Sequence, residues 1–343
     1  MSFSNVFIEK MAYSLPSKVV SSEDLETQLS PLYQRINLQV GRLELMTGIK
    51  ERRFWESNFK ASMASANAGI NLLKDGDIDP DEVDLLIHAA VCRDRLEPAT
   101  ASYVHNLMGL GEKTQILDIS NACLGFLNAL ILAGSMIENG TINRAIIVAG
   151  ENGKPLVDET IKLLNNGNMD RKSIKPYFAN LTIGAAAVAW SITNKENCNT
   201  DSPRLGQFTG STDTTHNNLC EGDQSVEGMV MQTDSEELLH AGISVAKKAW
   251  AKFLAKTSWA PSDPRLLVTH QVGKAHQLQI ESALGYNPDN SFNTFQTLGN
   301  CGSVSVPITY TLACEGNPDL QTQKSALLGI GSGLSSLMLS LNN

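Results

Sequence analysis

Three residues, each at the edge of an apolar run, have types and surroundings that point to chemistry. The first is Cys123, in DISNACLGFLNALILAGSMIENG (118–140). It opens a helical pattern in which Asn128 is the only polar side chain between positions 124 and 134. A thiol at a helix start meets the positive end of the helix dipole and backbone N–H groups without helical partners. Both favour the thiolate, which is the nucleophile. The same N–H groups suit an oxyanion formed by attack on a carbonyl. The chemistry would be acyl transfer to sulfur. Taken alone, the segment favours a plainer reading, because most free cysteines are small buried hydrophobes.

Of the six histidines, His270 stands out because it ends the strand-like run in LLVTHQVGKAH (266–276). In open α/β sheets, sites gather at the carboxyl ends of strands. Asn300 lies in QTLGNCGSVSVP (296–307), flanked by Gly299 and Gly302, which permit close backbone approach or unusual φ angles. Each has an ordinary alternative: a core histidine with a hydrogen bond, and an asparagine in a turn. The run GIGSGLSS (329–336) suits presentation of a backbone N–H to a ligand. No βαβ unit follows it, so it is not a dinucleotide-binding fingerprint. The combination of Cys, strand-end His, Asn in a glycine turn and glycine-rich loop raises the acyl-transfer reading above the separate alternatives.

These residues need a scaffold. Continuous aliphatic runs at 83–91, 144–150, 185–192, 265–272 and 325–331 predict strands buried on both faces. Helical patterns at 61–74, 100–109, 124–138, 235–256 and 273–284 fall between them. The fold class is therefore α/β. Leu85-Leu86-Ile87 matches Leu266-Leu267-Val268, and Ala145-Ile146-Ile147 matches Ala326-Leu327-Leu328, both at an offset of 181 residues. Two halves of similar plan would bury their facing helices, which supplies a place for the apolar helix after Cys123. The polar run 118–121 is expected to cap that helix, and Gly140 to stop it. The division predicted is 1–192 for the first half, with 151–180 as an insertion capping a site, 193–234 as a polar connection, and 235–343 for the second half.

Composition narrows the partners. The chain has 343 residues, 42% hydrophobic, with a net charge of −9 and no basic run. That argues against nucleic acid as a main partner. No apolar run reaches membrane-spanning length, and the N-terminus lacks a secretion-signal pattern. The six cysteines have no CxxC pair or dense spacing, so neither disulfides nor a zinc site is expected, and a reducing cytoplasm fits best.

With these residues in view, the chain resembles the thiolase-fold condensing enzymes of the ketoacyl synthase III branch. The matching pieces are TGIKERR (47–53), NACLGF (121–126), THQVGKAH (269–276), LGNCGSVSVP (298–307) and GIGSGLSS. They occur in family order along nearly the whole chain. The resemblance implies a five-layered αβαβα fold with two pseudo-symmetric halves, and a homodimer. It implies Cys123 as the acyl-accepting nucleophile, with His270 and Asn300 as donors to the second substrate's thioester carbonyl. The N–H groups of Cys123 and Ser332 would cradle the acyl-enzyme carbonyl.

A further match is Glu97, in VCRDRLEPATASYVHNLMGLG. It is similar to the branch that joins two fatty acyl-CoA molecules head to head, in long-chain olefin or ketone synthesis. There a glutamate at this place reaches into the partner subunit's site and acts as base. An unactivated acyl-CoA must lose a Cα proton, so the chemistry needs one. The ordinary alternative is an acidic residue at a helix start, with Pro98 as the first helical residue. Met46 stands where decarboxylating relatives carry an adenine-stacking Arg, and HQVGKAH lacks their Asn. Arg52 and Arg53 are the candidates for CoA contacts. The expected activity is non-decarboxylative Claisen condensation of two acyl-CoAs to a 2-alkyl-3-ketoacyl product. CoA thioesters enter as substrates, without a resident cofactor or metal, and a downstream reductase and ligase act as pathway partners. The alternative is decarboxylative condensation with a malonyl thioester, or acyl transfer to another acceptor.

Overall fold

A helix as apolar as the one after Cys123 demands protein on nearly every side, and the structure supplies it from two sheets. The computed structural model describes residues 2–342 apart from Ser57, Thr200, Val226 and Glu227. In chain order the strands are β1 (Phe7–Ser14), β2 (Lys18–Ser21), β3 (Glu51–Phe54), β4 (Leu85–His88), β5 (Gln115–Asp118), β6 (Arg144–Asn152), β7 (Ala185–Thr193), β8 (Leu205–Thr212), β9 (Cys220–Ser225), β10 (Gly228–Thr233), β11 (Leu266–Thr269), β12 (Ser325–Gly331) and β13 (Ser335–Leu341).

The first large sheet has the order β1-β7-β6-β4-β5, and the second β11-β12-β13-β8. Read in matching directions, β1-β7-β6-β4 corresponds to β8-β13-β12-β11, which is the internal repeat seen in the sequence. Its markers fall on β4 and β11, and on β6 and β12. The parallel pairs differ in register by one residue: Leu85 faces Ala145, whereas Leu266 faces Ser325.

Between the sheets lie the helices Gly125–Glu138 and Ser305–Gly316. Leu124, Phe126 and Leu130 share one core with Val306, Ile308 and Tyr310, and with Ile147, Trp190, Leu327 and Leu339 from the strands. Helices Ala61–Gly76 and Thr100–Met108 pack on the first sheet, and Ser235–Thr257 on the second with Lys274–Leu284 beside it. The layers run helix, sheet, helix, sheet, helix. Gly140, with φ +69°, ends the Cys123 helix as expected, its N–H donating to Ile137.

Residues 193–234 are more than a connection. Strand β8 pairs with β13 and completes the second sheet. The β9–β10 hairpin packs against helices Lys154–Asn166 and Lys175–Phe178, where Asn180 Nδ2 donates to the Met231 carbonyl at 3.0 Å. The run LGQFTGST has too few aliphatic side chains to register as a buried strand, because β8 is an edge.

Trp190 joins the middle layer to the first sheet. It meets Phe126 edge-on at 5.4 Å and donates its indole N–H to Thr311 Oγ1 at 2.9 Å, wholly buried. Thr311→Val keeps the shape and strands that N–H. It should lower unfolding stability by about 1–3 kcal/mol, seen as an earlier denaturant midpoint at fixed protein concentration; an unchanged midpoint would show that this bond contributes nothing.

Candidate active site

The turn 119–124 carries the chain from β5 into the Cys123 helix. Ala122 is left-handed, at φ +44°, a conformation that costs an alanine about 1–3 kcal/mol. Leu124 N–H closes the turn on the Asn121 carbonyl at 2.9 Å. The result is a thiol held at the mouth of the helix Gly125–Glu138. The expected side-chain cap is absent: Asp118 instead accepts N–H groups of Thr100 and Ala101, at 2.7 and 2.8 Å, and caps the helix Thr100–Met108. The end of β12 comes against Cys123 from the second half. A Cβ on Gly331 would stand 3.5 Å from the Cys123 nitrogen and 3.1 Å from Leu124 Cγ. Ser332 is the next residue along this turn.

Asn300 is clamped by its backbone. Its N–H donates to the Thr182 carbonyl and its own carbonyl accepts from Gly184 N–H, both at 2.9 Å. Gly299 allows this docking: it has φ +67°, and a Cβ there would approach the Thr182 oxygen to 2.6 Å. Asn300 Oδ1 accepts the Gly302 N–H at 3.0 Å, which fixes the amide so that the Nδ2 hydrogens face away from the turn. His270 continues β11, its N–H donating to Leu328 at 3.0 Å. Its Nδ1 is buried and has no hydrogen-bond partner among the described residues, an arrangement that folding alone does not favour. Gln271 staples this strand end to the Asn300 segment, its Oε1 accepting N–H groups of Thr294 and Phe295 at 2.8 and 3.2 Å.

The turns converge. Ser303 Oγ donates to the Ala89 carbonyl at 2.8 Å, and a Cβ on Gly125 would lie 3.3 Å from that same oxygen. The Asn300 turn and the Cys123 turn therefore meet over one carbonyl. His270 arrives through Leu328, whose neighbour Gly329 packs against Leu124 and Leu127. A cavity of about 460 Å³ along β1, lined by Lys10, Tyr13, Asn71 and Glu315, shares none of these residues.

Electrostatics correct one expectation. Burial, the Glu151 carboxylate and the Cys220 sulfur push the Cys123 thiol up to about 12, against a smaller opposing effect of its own backbone N–H. The helix start does not make a thiolate here. Burial, with His276 nearby, pushes His270 down to about 3. At neutral pH the pair is a thiol and a neutral imidazole.

Other expected residues lie elsewhere. Arg52 is wholly buried, donating to Ser22 Oγ at 3.0 Å and the Leu181 carbonyl at 3.3 Å, and burial lowers it to about 10. Its guanidinium points into protein, so it is no surface contact for CoA. Arg53 is half-buried and bonds the Pro16 carbonyl at 3.0 Å. Glu97 is exposed, on the loop between β4 and the helix Thr100–Met108. That helix starts at Thr100 with Ala99 as its cap residue, so Pro98 is not its first residue and Glu97 is not in its first turn. Gly273 explains the missing Asn of HQVGK, since a Cβ there would meet the Thr47 carbonyl oxygen at 2.8 Å. Sequence reasoning passed over Glu151 and Gln271, and set Asp118 at the wrong helix. A charged residue closing the apolar run RAIIVAGE was the available signal for the first.

A thiol at one central helix, a clamped amide at the other and an orphaned imidazole at a strand end fit a thiolase-fold condensing enzyme. Residues 117–202 match the family 3-oxoacyl-(acyl-carrier-protein) synthase III, and residues 254–341 match its C-terminal family. An acyl-CoA:acyl-CoA alkyltransferase of Shewanella oneidensis is 37% identical, with 99% of each chain covered. One from Xanthomonas campestris is 32% identical over 98% of each. A beta-ketoacyl-(acyl-carrier-protein) synthase III of Natranaerobius thermophilus is 27% identical over 96% of this chain and 97% of its own. A crystal structure of a cysteine-to-alanine variant of Xanthomonas campestris OleA superposes with a TM-score of 0.94 at 31% identity, covering 99% of this chain and 98% of that one. The chain belongs to the acyl-CoA:acyl-CoA alkyltransferase family. No helix among the described residues is long and apolar enough to cross a membrane.

With the Cys123 thiol raised to about 12, its thiolate fraction keeps growing with pH. Alkylation of the free enzyme by iodoacetamide should rise roughly ten-fold per pH unit from neutral to alkaline pH without levelling. A plateau below pH 8 would show a thiol activated before substrate binds.

Proposed function

We propose that this protein joins two fatty acyl-CoA molecules head to head, through an acyl-Cys123 intermediate, to a 2-alkyl-3-ketoacyl product. The observation that carries the reading is the pair of donors, Asn300 Nδ2 and the His270 imidazole, brought to the same end of the middle layer as Cys123. In the first half-reaction Cys123 Sγ attacks the thioester carbonyl, the bond to CoA breaks, and the thiol proton ends on the released CoA. No net charge is made, which suits a neutral thiol and imidazole. The N–H groups of Cys123 and Ser332 hold the oxyanion; one such donor is worth about 3–4 kcal/mol of barrier.

In the second half-reaction the partner subunit's Glu97 removes a Cα proton from the second acyl-CoA. His270 and Asn300 hold the enolate oxygen. The carbanion attacks the Cys123 thioester, the carbon–sulfur bond to Cys123 breaks, and the abstracted proton returns to sulfur. Hydrolysis of the product thioester gives a 3-keto acid. CoA thioesters serve as substrates, and no step requires a resident cofactor. A malonyl donor would need no carboxylate base; the glycine forced at position 273 and the exposed Met46 favour the acyl-CoA reading. Delivery of Glu97 across a two-fold axis is supported by its surroundings. Strand β5 ends its sheet, and Val91, Leu96, Leu107 and Ile116 are exposed around it, a surface that suits a second copy. The 3-keto product calls for a carbonyl reductase and an activating ligase as later partners.

Myristoyl-CoA supplied alone should yield free CoA and, after decarboxylation, a long-chain ketone. Glu97→Ala should still acylate Cys123, seen by intact mass, while condensation drops about 10²–10⁴-fold. Full-rate condensation by that variant would remove Glu97 from the mechanism; turnover only with a malonyl thioester would select the alternative.

A further inference from the structure

Glu151, near the end of β6, is 4% exposed and takes no part in the steps above. Its Oε1 accepts the Val91 N–H at 2.9 Å and the Ser303 N–H at 3.2 Å, and shares the Ser303 hydroxyl proton, at 2.8 Å, with the Ala89 carbonyl. Its Oε2 accepts the Cys92 N–H at 3.0 Å. A Cβ on Gly302 would lie 2.9 Å from Oε1, so the glycine turn closes directly onto the carboxylate. A carboxylate with this many donors is committed to its neighbours and is poorly placed to act as a base.

What it joins matters more. Val91 and Cys92 are the root of the loop that carries Glu97. The same loop is held further along by Asp94, which accepts the Ser62 N–H at 3.0 Å, and ends where Asp118 caps Thr100 and Ala101. Ser303 closes the turn that carries Asn300, whose Oδ1 takes the Gly302 N–H.

We propose that Glu151 is a positioning residue for condensation: one buried carboxylate locks the root of the Glu97 loop and the Asn300 turn into a single frame. The base lent to the neighbouring site and the enolate donor of the home site are then set by the same group. Glu151 also acts on sulfur through its charge. The titratable groups it faces are Cys123, Cys92, Cys301 and His88, and its charge raises all three thiols. Cys220 is the other group raising Cys123. Glu151 thus opposes premature thiolate formation while holding the condensation apparatus in place.

The inference rests on the acyl-CoA condensation reading, and the experiment separates the two. Full-length Glu151→Gln, Glu151→Asp and Ser303→Ala proteins are compared with the parent in three measurements: first CoA release, condensation of myristoyl-CoA, and the pH profile of Cys123 alkylation by iodoacetamide. Glu151→Gln removes the charge and faces an amide N–H against the Cys92 N–H. It should move the alkylation profile to lower pH, leave first CoA release no slower than in the parent, and cut condensation on the order of ten-fold or more. Ser303→Ala keeps the charge and breaks one arm; it should lower condensation with the alkylation profile unmoved. Glu151→Asp should keep the parental profile and lose condensation through its shorter reach, and with Ser303→Ala it decides the matter if Glu151→Gln does not fold. Parental condensation in all folded variants overturns the proposal. So does equal loss of acyl transfer and condensation with an unmoved Glu151→Gln profile. If the parent itself fails to condense acyl-CoA, the functional reading falls, and the alkylation profiles still report on the Glu151 charge.

Discussion

The site depends on the burial of two helices between two sheets. Gly125–Glu138 and Ser305–Gly316 contribute to one core with both sheets, and neither can shift without opening apolar surface at about 25 cal/mol per Å². Packed this way, each presents its N-terminal turn at the same end of the molecule. One turn carries Cys123 and the other Asn300, and His270 comes from the strand between them in the chain. Close packing also dictates the glycines at the seams. Gly331 lets β12 reach the Cys123 nitrogen, Gly125 clears the Ala89 carbonyl, and Gly299 lets the Asn300 turn dock on Thr182.

That burial sets the protonation chemistry. A helix start attracts an anion, but removing a thiol from water and placing Glu151 beside it outweighs the attraction, and Cys123 stays protonated at neutral pH. His270 is held neutral for the same reason. The two suit the proposed acyl transfer, which begins and ends without a change of net charge at the thiol and imidazole. A permanent thiolate would be open to oxidation and alkylation between turnovers; a protonated thiol limits this, and on the proposed mechanism it becomes a nucleophile as its proton passes to the leaving CoA.

Much of this was legible from residue order. Runs such as LLIH, RAIIVAG and AAAVAWSI are continuous because their strands are covered on both faces, so strand positions and the internal repeat could be read directly. His270 could be singled out because it ends such a run, Cys123 because it opens an apolar helical pattern, and Asn300 because it sits in a glycine turn. What escaped depends on contacts distant in the chain. The partners of Glu151 lie 60 and 152 residues away; its place closing the apolar run RAIIVAGE sets it apart but does not say what it binds. Arg52 was misplaced for a different reason. In β3 alternate side chains turn inward, so Arg52 and Phe54 are buried and Arg53 is only half-covered; the pair RR suggested a basic surface that the pleat divides. Strand β8 escaped because an edge strand rich in Gly, Thr and Ser carries little hydrophobic signal.

On the proposed mechanism, the contrast between the two glutamates accounts for a base carried on a surface loop. Acyl transfer to Cys123 conserves charge, whereas forming a Cα carbanion requires a group that is anionic before it acts and has a lone pair uncommitted. Glu151 fails the second condition, because three backbone N–H groups and a share of the Ser303 hydroxyl proton occupy it. A second carboxylate held permanently in the same pocket would raise the Cys123 thiol further and slow the first half-reaction. Glu97 has its lone pairs uncommitted: it is exposed on its own chain, and none of the described residues donates a hydrogen bond to it. The loop bearing it is therefore free at the tip and rigid at the root, and Glu151 supplies the rigidity.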